Sequence, residues 1–150
     1  MQQLDSGIPK VQSAEVIIDV PFFDVDAMEI VWHGHYVKYF EIARCEFLRQ
    51  INYDYTQMAA SGFMFPIVDL RIKYVASATF GSKIKVVARL SEWQSYLQFN
   101  YEIVDLESGQ RLTKGMTKQV AVAQDTREMC YESPHILLQK LGVTDEHASE

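Results

Sequence analysis

The chain has 150 residues, 48% hydrophobic and 23% charged, with a formal net charge of -6. That length suits one domain, residues 1–150, around a single core, and an acidic chain without a run of Lys or Arg argues against nucleic acid as a partner. No apolar stretch approaches the roughly 20 residues that cross a bilayer, and MQQLDSGIPK lacks an apolar segment behind a basic start, so neither a membrane span nor a secretory signal is expected.

Residues 1–13 are polar, carry Gly7 and Pro9, and read as a loose arm. From Ala14 to Val20 the density of β-branched side chains predicts a first strand, closed by Pro21. A loop follows from Phe22 to His33, and Gly34 opens a helix that runs to about Asn52. Its apolar residues Tyr36, Phe40, Ala43, Phe47 and Ile51 recur at steps of three and four. A second set, Val37, Tyr39, Ile42, Cys45 and Leu48, covers much of the other side, as in a helix wrapped by the rest of the protein. Lys38, Glu41, Arg44, Glu46 and Arg49 are left for a narrow wet strip or a subunit interface. Two cysteines, Cys45 and Cys130, make no disulfide framework, and Cys45 reads as a buried thiol of a cytoplasmic protein.

After a connection from Tyr53 to Gly62, with room for one helical turn, four segments alternate with period two. Val68, Leu70, Ile72 and Tyr74 begin the series, Ile84 to Leu90 and Leu97 to Ile103 continue it, and Leu112 to Val122 ends it. Such alternation predicts antiparallel strands with one covered and one wetter face, the last two joined by a hairpin at Glu107-Ser108-Gly109-Gln110. Ser133 as cap, Pro134 at the first helical position and Gly142 at the end mark a final helix. The order predicts an α+β fold, an antiparallel sheet wrapped around one buried helix.

The stretch DVDAMEIVWHGHYVKYFEIAR, Asp24 to Arg44, is where chemistry concentrates. A loop that ends at a helix start presents backbone N–H groups that no earlier carbonyl satisfies, and these suit an oxygen that becomes negative. An aspartate held opposite is a base or nucleophile facing an oxyanion hole, the pairing acyl transfer needs. Asp26 precedes His33 by seven residues, enough for the loop to fold back. His33-Gly34-His35 invites a metal reading, but residues two apart on a helix do not face each other, and no further ligand lies at metal spacing. No metal and no cofactor are expected. Asp24 reads as a turn former and His35 as a solvated surface residue.

Asp24, Asp26, Val31, Trp32, His33, Tyr36, Tyr39, Phe40, Glu41, Ala43 and Arg44 form a pattern that resembles the N-terminal motif of hotdog-fold thioesterases of the 4-hydroxybenzoyl-CoA thioesterase type, including those encoded with the Tol-Pal system. The likeness extends loosely over residues 14 to 125. It implies the hotdog fold, a curled antiparallel sheet around one long central helix, and a homodimer or homotetramer with active sites at the subunit interface. It further implies hydrolysis of an acyl thioester of CoA or acyl carrier protein, with Asp26 as nucleophile or general base and the His33 backbone N–H as oxyanion donor.

A hydrophobic acyl pocket needs walls, for which Trp32, Tyr36, Tyr39 and Phe40 are the substrate-binding candidates, although each is also a plausible core residue. Phosphates of a pantetheine-linked substrate would want cations, and Lys83, Lys85, Arg89, Lys114, Lys118 and Arg127 are available, scattered on strands. One departure from the pattern stands out. Relatives often carry glycine where this chain has Met28-Glu29, and glycine there adopts backbone angles that Glu29 reaches only with strain. The alternative reading is therefore a catalytically idle hotdog protein that binds an acyl chain or a partner enzyme.

Overall fold

The computed structural model describes residues 7–143. Its elements are β1 (Ser13–Asp19), a single 3-10 turn (Phe22–Asp24), α1 (His35–Gln50), α2 (Tyr55–Ser61), β2 (Phe63–Met64), β3 (Ile67–Tyr74), β4 (Lys83–Glu92), β5 (Leu97–Asp105), β6 (Arg111–Gln119), β7 (Val122–Ala123) and α3 (His135–Leu141). Five strands form one sheet in the order β1-β4-β5-β6-β3, antiparallel at every step. A short antiparallel ribbon of β2 and β7 stands apart.

The alternation in sequence becomes two faces. Ile84, Val86 and Ala88 of β4 and Leu97, Phe99, Tyr101 and Ile103 of β5 are buried, and Tyr36, Tyr39, Phe40, Ala43, Phe47 and Leu48 of α1 are buried with them. Phe40 stacks on Tyr101 at 4.4 Å between ring centroids, and Phe47 meets Phe99 edge-on at 4.9 Å. Each such aromatic contributes roughly 1.5–3 kcal/mol by leaving water. Gly115 lets the helix come this close. It pairs with Tyr101 across β5 and β6, and a Cβ there would lie 2.5 Å from the Phe40 ring and 2.7 Å from the Arg71 carbonyl oxygen.

Several expectations change in three dimensions. The arm expected over residues 1–13 lies outside the described residues for 1–6. From Lys10 onward it is tied down, because Lys10 N–H donates to the Leu141 carbonyl and Leu90 N–H to that of Gln12. The connection before the sheet holds more than one turn: α2 starts with a capping box, Asp54 accepting from Gln57 N–H and Gln57 from Asp54 N–H. Ser133 does not cap α3; Pro134 holds that position, and the Ser133 hydroxyl donates to the Trp93 carbonyl.

Nor is α1 wrapped all round. Lys38, Glu41, Ile42, Cys45 and Arg49 are exposed, so Cys45 is not a buried thiol. Arg44, expected in a wet strip, is instead buried. Its guanidinium donates to the hydroxyls of Tyr101 at 3.1 Å and Tyr55 at 3.0 Å, and approaches Glu41 at 3.4 Å. The Tyr101 hydroxyl continues to Thr117 at 2.7 Å, so polar partners let a charge sit in the core. Among the described residues no helix is long and apolar enough to cross a membrane.

Candidate active site

The loop between β1 and α1 is built from backbone hydrogen bonds. Val25 and Val31 form an antiparallel bridge. Inside it Asp26 N–H donates to the Ile30 carbonyl at 2.9 Å and Glu29 N–H to the Asp26 carbonyl at 2.9 Å. This is a hairpin with a three-residue loop, Ala27-Met28-Glu29, whose last loop residue takes the left-handed conformation that favours glycine. Glu29 adopts it, at φ 65. A non-glycine residue thus occupies a left-handed position and carries its strain. The hairpin is fastened to the β3–β4 connection by Val31 N–H to the Ala78 carbonyl at 2.9 Å and by Phe80 N–H to the Glu29 carbonyl at 3.4 Å.

Asp26 sits at the entry of this turn with its side chain exposed. One carboxylate oxygen, Oδ1, accepts from Met28 N–H at 2.8 Å; Oδ2 has no partner among the described residues. The carboxylate is thus held at one oxygen and open at the other.

His33 lies one residue before the cap Gly34, ahead of the helix proper. Its carbonyl accepts from the Tyr74 hydroxyl at 2.7 Å, and His35 N–H closes the turn onto the Trp32 carbonyl at 2.9 Å. Among the described residues the N–H groups of His33 and Gly34 donate to nothing. Gly34 has a steric reason to be glycine: a Cβ there would fall 2.1 Å from the Trp32 ring. Trp32 lies over this turn, tilted against His33 and edge-on to His35.

Asp24 is not the loop turn former expected. It is 1% exposed, and its carboxylate accepts from Lys38 Nζ at 2.7 Å and from the Tyr39 hydroxyl at 2.6 Å, while its carbonyl accepts from Trp32 N–H at 3.0 Å. Burial alone would push its pKa up; the hydrogen bonds from Lys38 and Tyr39 outweigh burial and hold it below the usual carboxylate value. Burial, then the bond to Asp24, pushes the Tyr39 hydroxyl well above the ordinary tyrosine range. His35 is not a freely solvated histidine either, its Nε2 lying 3.9 Å from Asp24 with the side chain 30% exposed. Asp24 is therefore the buried post that ties the D-x-D loop to the first turn of α1.

Of the aromatic candidates only Trp32 has much exposed surface. Tyr36 accepts from Ala78 N–H at 3.0 Å, Tyr39 is committed to Asp24, and Phe40 is covered by Tyr101. Exposed apolar surface on this loop and on the connection fastened to it comes instead from Phe22, Phe23, Met28 and Phe80, with Phe22 edge-on to Phe80 at 5.8 Å. Tyr74, Phe80 and Lys38 are members of this neighbourhood that the motif does not contain. Tyr74 and Phe80 lie far along the chain from the D-x-D loop, and only the exposed run Phe22-Phe23 beside the first aspartate carried a signal for the apolar surround.

Residues 20–141 match the thioesterase-like superfamily, and the chain belongs to that family. The sll0410 protein of Synechocystis, provisionally named an esterase, is 30% identical over 72% of this chain and 66% of its own length. The acyl-CoA thioester hydrolase YbgC of Escherichia coli is 26% identical over 61% of this chain and 69% of its own. Among solved structures, the DHNA-CoA thioesterase of Staphylococcus aureus superposes with a TM-score of 0.73 at 26% identity, covering 79% of this chain and 80% of that one. The fold is the hotdog fold of these proteins, and the chain falls in the thioester hydrolase class.

Proposed function

We propose that this protein hydrolyses acyl thioesters of coenzyme A or acyl carrier protein, with Asp26 as nucleophile or general base and the His33 backbone N–H as oxyanion donor. One observation carries the reading. A carboxylate fixed at one oxygen and free at the other stands in the same short loop as an amide that nothing else claims. In this scheme the thioester carbonyl oxygen accepts from His33 N–H, so charge developing on it meets a preorganised donor in the turn just ahead of α1. The free Oδ2 of Asp26 then attacks the carbonyl carbon, or takes a proton from a water that does. The tetrahedral intermediate collapses with departure of the thiolate, which takes up a proton. Where water attacked, the free acid is released directly; where Asp26 attacked, the mixed anhydride on its carboxylate is then cleaved by water to release the acid and restore Asp26. Tyr74 fixes the His33 carbonyl, and thereby the plane of the peptide that precedes Gly34.

Trp32 is proposed as the acyl-contacting wall, with Tyr36, Tyr39 and Phe40 backing it from the core. Phe22, Phe23, Met28 and Phe80 leave apolar side chains exposed on and beside this loop, which suits closure by an acyl chain and a second subunit. A homodimer or homotetramer has a ready seam at β3, an edge strand of the sheet with Val68 and Leu70 exposed, since a bare edge is a template for another chain. The two free cysteines support a reducing, cytoplasmic setting. The ordered hairpin around Glu29, which holds Asp26 by its backbone, favours an active enzyme over an idle binding protein.

The test is Asp26→Asn, assayed on a panel of acyl-CoAs with a thiol-detecting reagent. The amide keeps an oxygen for Met28 N–H, so the turn survives while the carboxylate is lost. A fall in kcat of about 10²–10⁴-fold is expected with an unchanged unfolding temperature; parental turnover in this variant refutes the assignment.

A further inference from the structure

On the face of the sheet turned away from α1 lies a hollow of about 480 Å3, lined by Arg71, Lys73, Arg89, Arg111 and Lys114 around Glu102. Five cations thus surround one carboxylate in a chain whose net charge is -6. That carboxylate is already occupied: Arg111 Nε donates to it at 2.6 Å, and Arg89 stands 4.0 Å away. Arg71 leans toward Asp69 at 3.4 Å. The ammonium groups of Lys73 and Lys114 make no ion pair or hydrogen bond among the described residues, although Lys114 lies opposite Glu102 in the β5–β6 register, and the two lysines are direct cross-strand partners in the β3–β6 register. Like charges placed directly opposite each other destabilise a sheet. Elsewhere on the strands Lys83 is paired with Asp19 at 2.6 Å and Lys118 lies over the Tyr96 ring at 4.0 Å.

We propose that this hollow binds a small polyanion, a ligand with two or more phosphate groups and the bulk of a nucleoside diphosphate. The surplus of positive charge exceeds what one carboxylate or one monoanion would neutralise, and three guanidinium forks with two ammonium groups are the donors that phosphates take. The volume is that of a small-molecule site, larger than inorganic phosphate needs. A second copy of this face would bring like charge against like. The hollow lies across the sheet from α1, so its occupant does not compete for the acyl group at Asp26. Two sources share the chemistry: a free nucleotide, or the phosphorylated end of a nucleotide-bearing thioester. Only the second rests on the proposed thioesterase activity.

Calorimetric titration of the whole chain with ADP, at low and moderate salt, is the test. One site per chain is expected, weakened by added salt and weakened about tenfold for each lysine removed in Lys73→Gln and Lys114→Gln. Absence of ADP binding, or equal affinity in the double variant when its circular dichroism is unchanged, overturns the proposal whether or not the protein hydrolyses thioesters. The same double variant assayed on an acyl-CoA and the matching acyl-pantetheine separates the sources. A KM raised only for the CoA ester identifies the substrate's own phosphates; KM values unchanged for both, with ADP binding lost, identify a free nucleotide.

Discussion

Replacing Glu29 by glycine should stabilise the protein, although the change removes a side chain. Glu29 is held at φ 65 because the hairpin's third loop position requires it. The left-handed conformation costs an L-residue roughly 1–2 kcal/mol. Glycine escapes that cost but gives the unfolded chain more freedom, worth roughly 0.4–1 kcal/mol against folding. The contacts that define the turn, Glu29 N–H to Asp26 and Phe80 N–H to Glu29, are backbone to backbone and survive. The net expectation is a gain of about 0.5–1 kcal/mol, or about 1–4 °C in Tm, measured by thermal unfolding and checked by urea denaturation at constant m. Glu29→Ala is the control: it keeps the strained backbone and loses only the carboxylate, so its Tm should stay near the parent's. A Glu29→Gly protein less stable than Glu29→Ala would refute the reasoning, since stability would then reside in the side chain and not in the backbone angle.

Asp24→Asn should expose a pH dependence. The folded-state pKa is depressed, so the ionised carboxylate contributes stability that is complete above the unfolded value of about 3.9 and is lost as pH falls through the lower folded value. Because Lys38 is 44% exposed and its charge is screened, the loss at neutral pH is put at about 1–2 kcal/mol, and the variant's acid-unfolding curve should be flatter than the parent's in that window; identical curves would remove Asp24 as the post of the loop. Gly115→Ala should destabilise by about 1–3 kcal/mol, because the new methyl meets both the Phe40 ring and a backbone oxygen. Pairing it with Phe40→Leu should recover part of that loss in chemical denaturation, and strict additivity would show that the two positions do not share the space.

The elements were legible because each leaves a periodic trace. Period two in Ile84-Val86-Ala88 and Leu97-Phe99-Tyr101-Ile103 says that one face of β4 and β5 is dry, and steps of three and four from Tyr36 to Ile51 say that α1 presents a stripe to it. The D-x-D loop and the helix start were legible as well, because a turn and a helix beginning depend on residues a few places apart. Periodicity specifies which side of an element is covered, not what covers it. Arg44 falls among polar positions in any pattern, and it is buried because Tyr55 and Tyr101 bring hydroxyls to it from α2 and β5. Cys45 is its neighbour in sequence and is exposed, one helical step of rotation away from the sheet.

By itself, then, the order of residues determined an α+β chain with one long helix against an antiparallel sheet, and it singled out Asp26 and His33 as the pair to watch. Tertiary structure alone decided that Asp24 is a buried anchor for Lys38 and Tyr39, that Tyr74 grips the His33 carbonyl, and that cations from β3, β4 and β6 crowd a single hollow. The physical reason is reach. Backbone geometry acts over a turn or two and is written locally, whereas charges and hydroxyls act on whatever the packed sheet brings within a few ångströms.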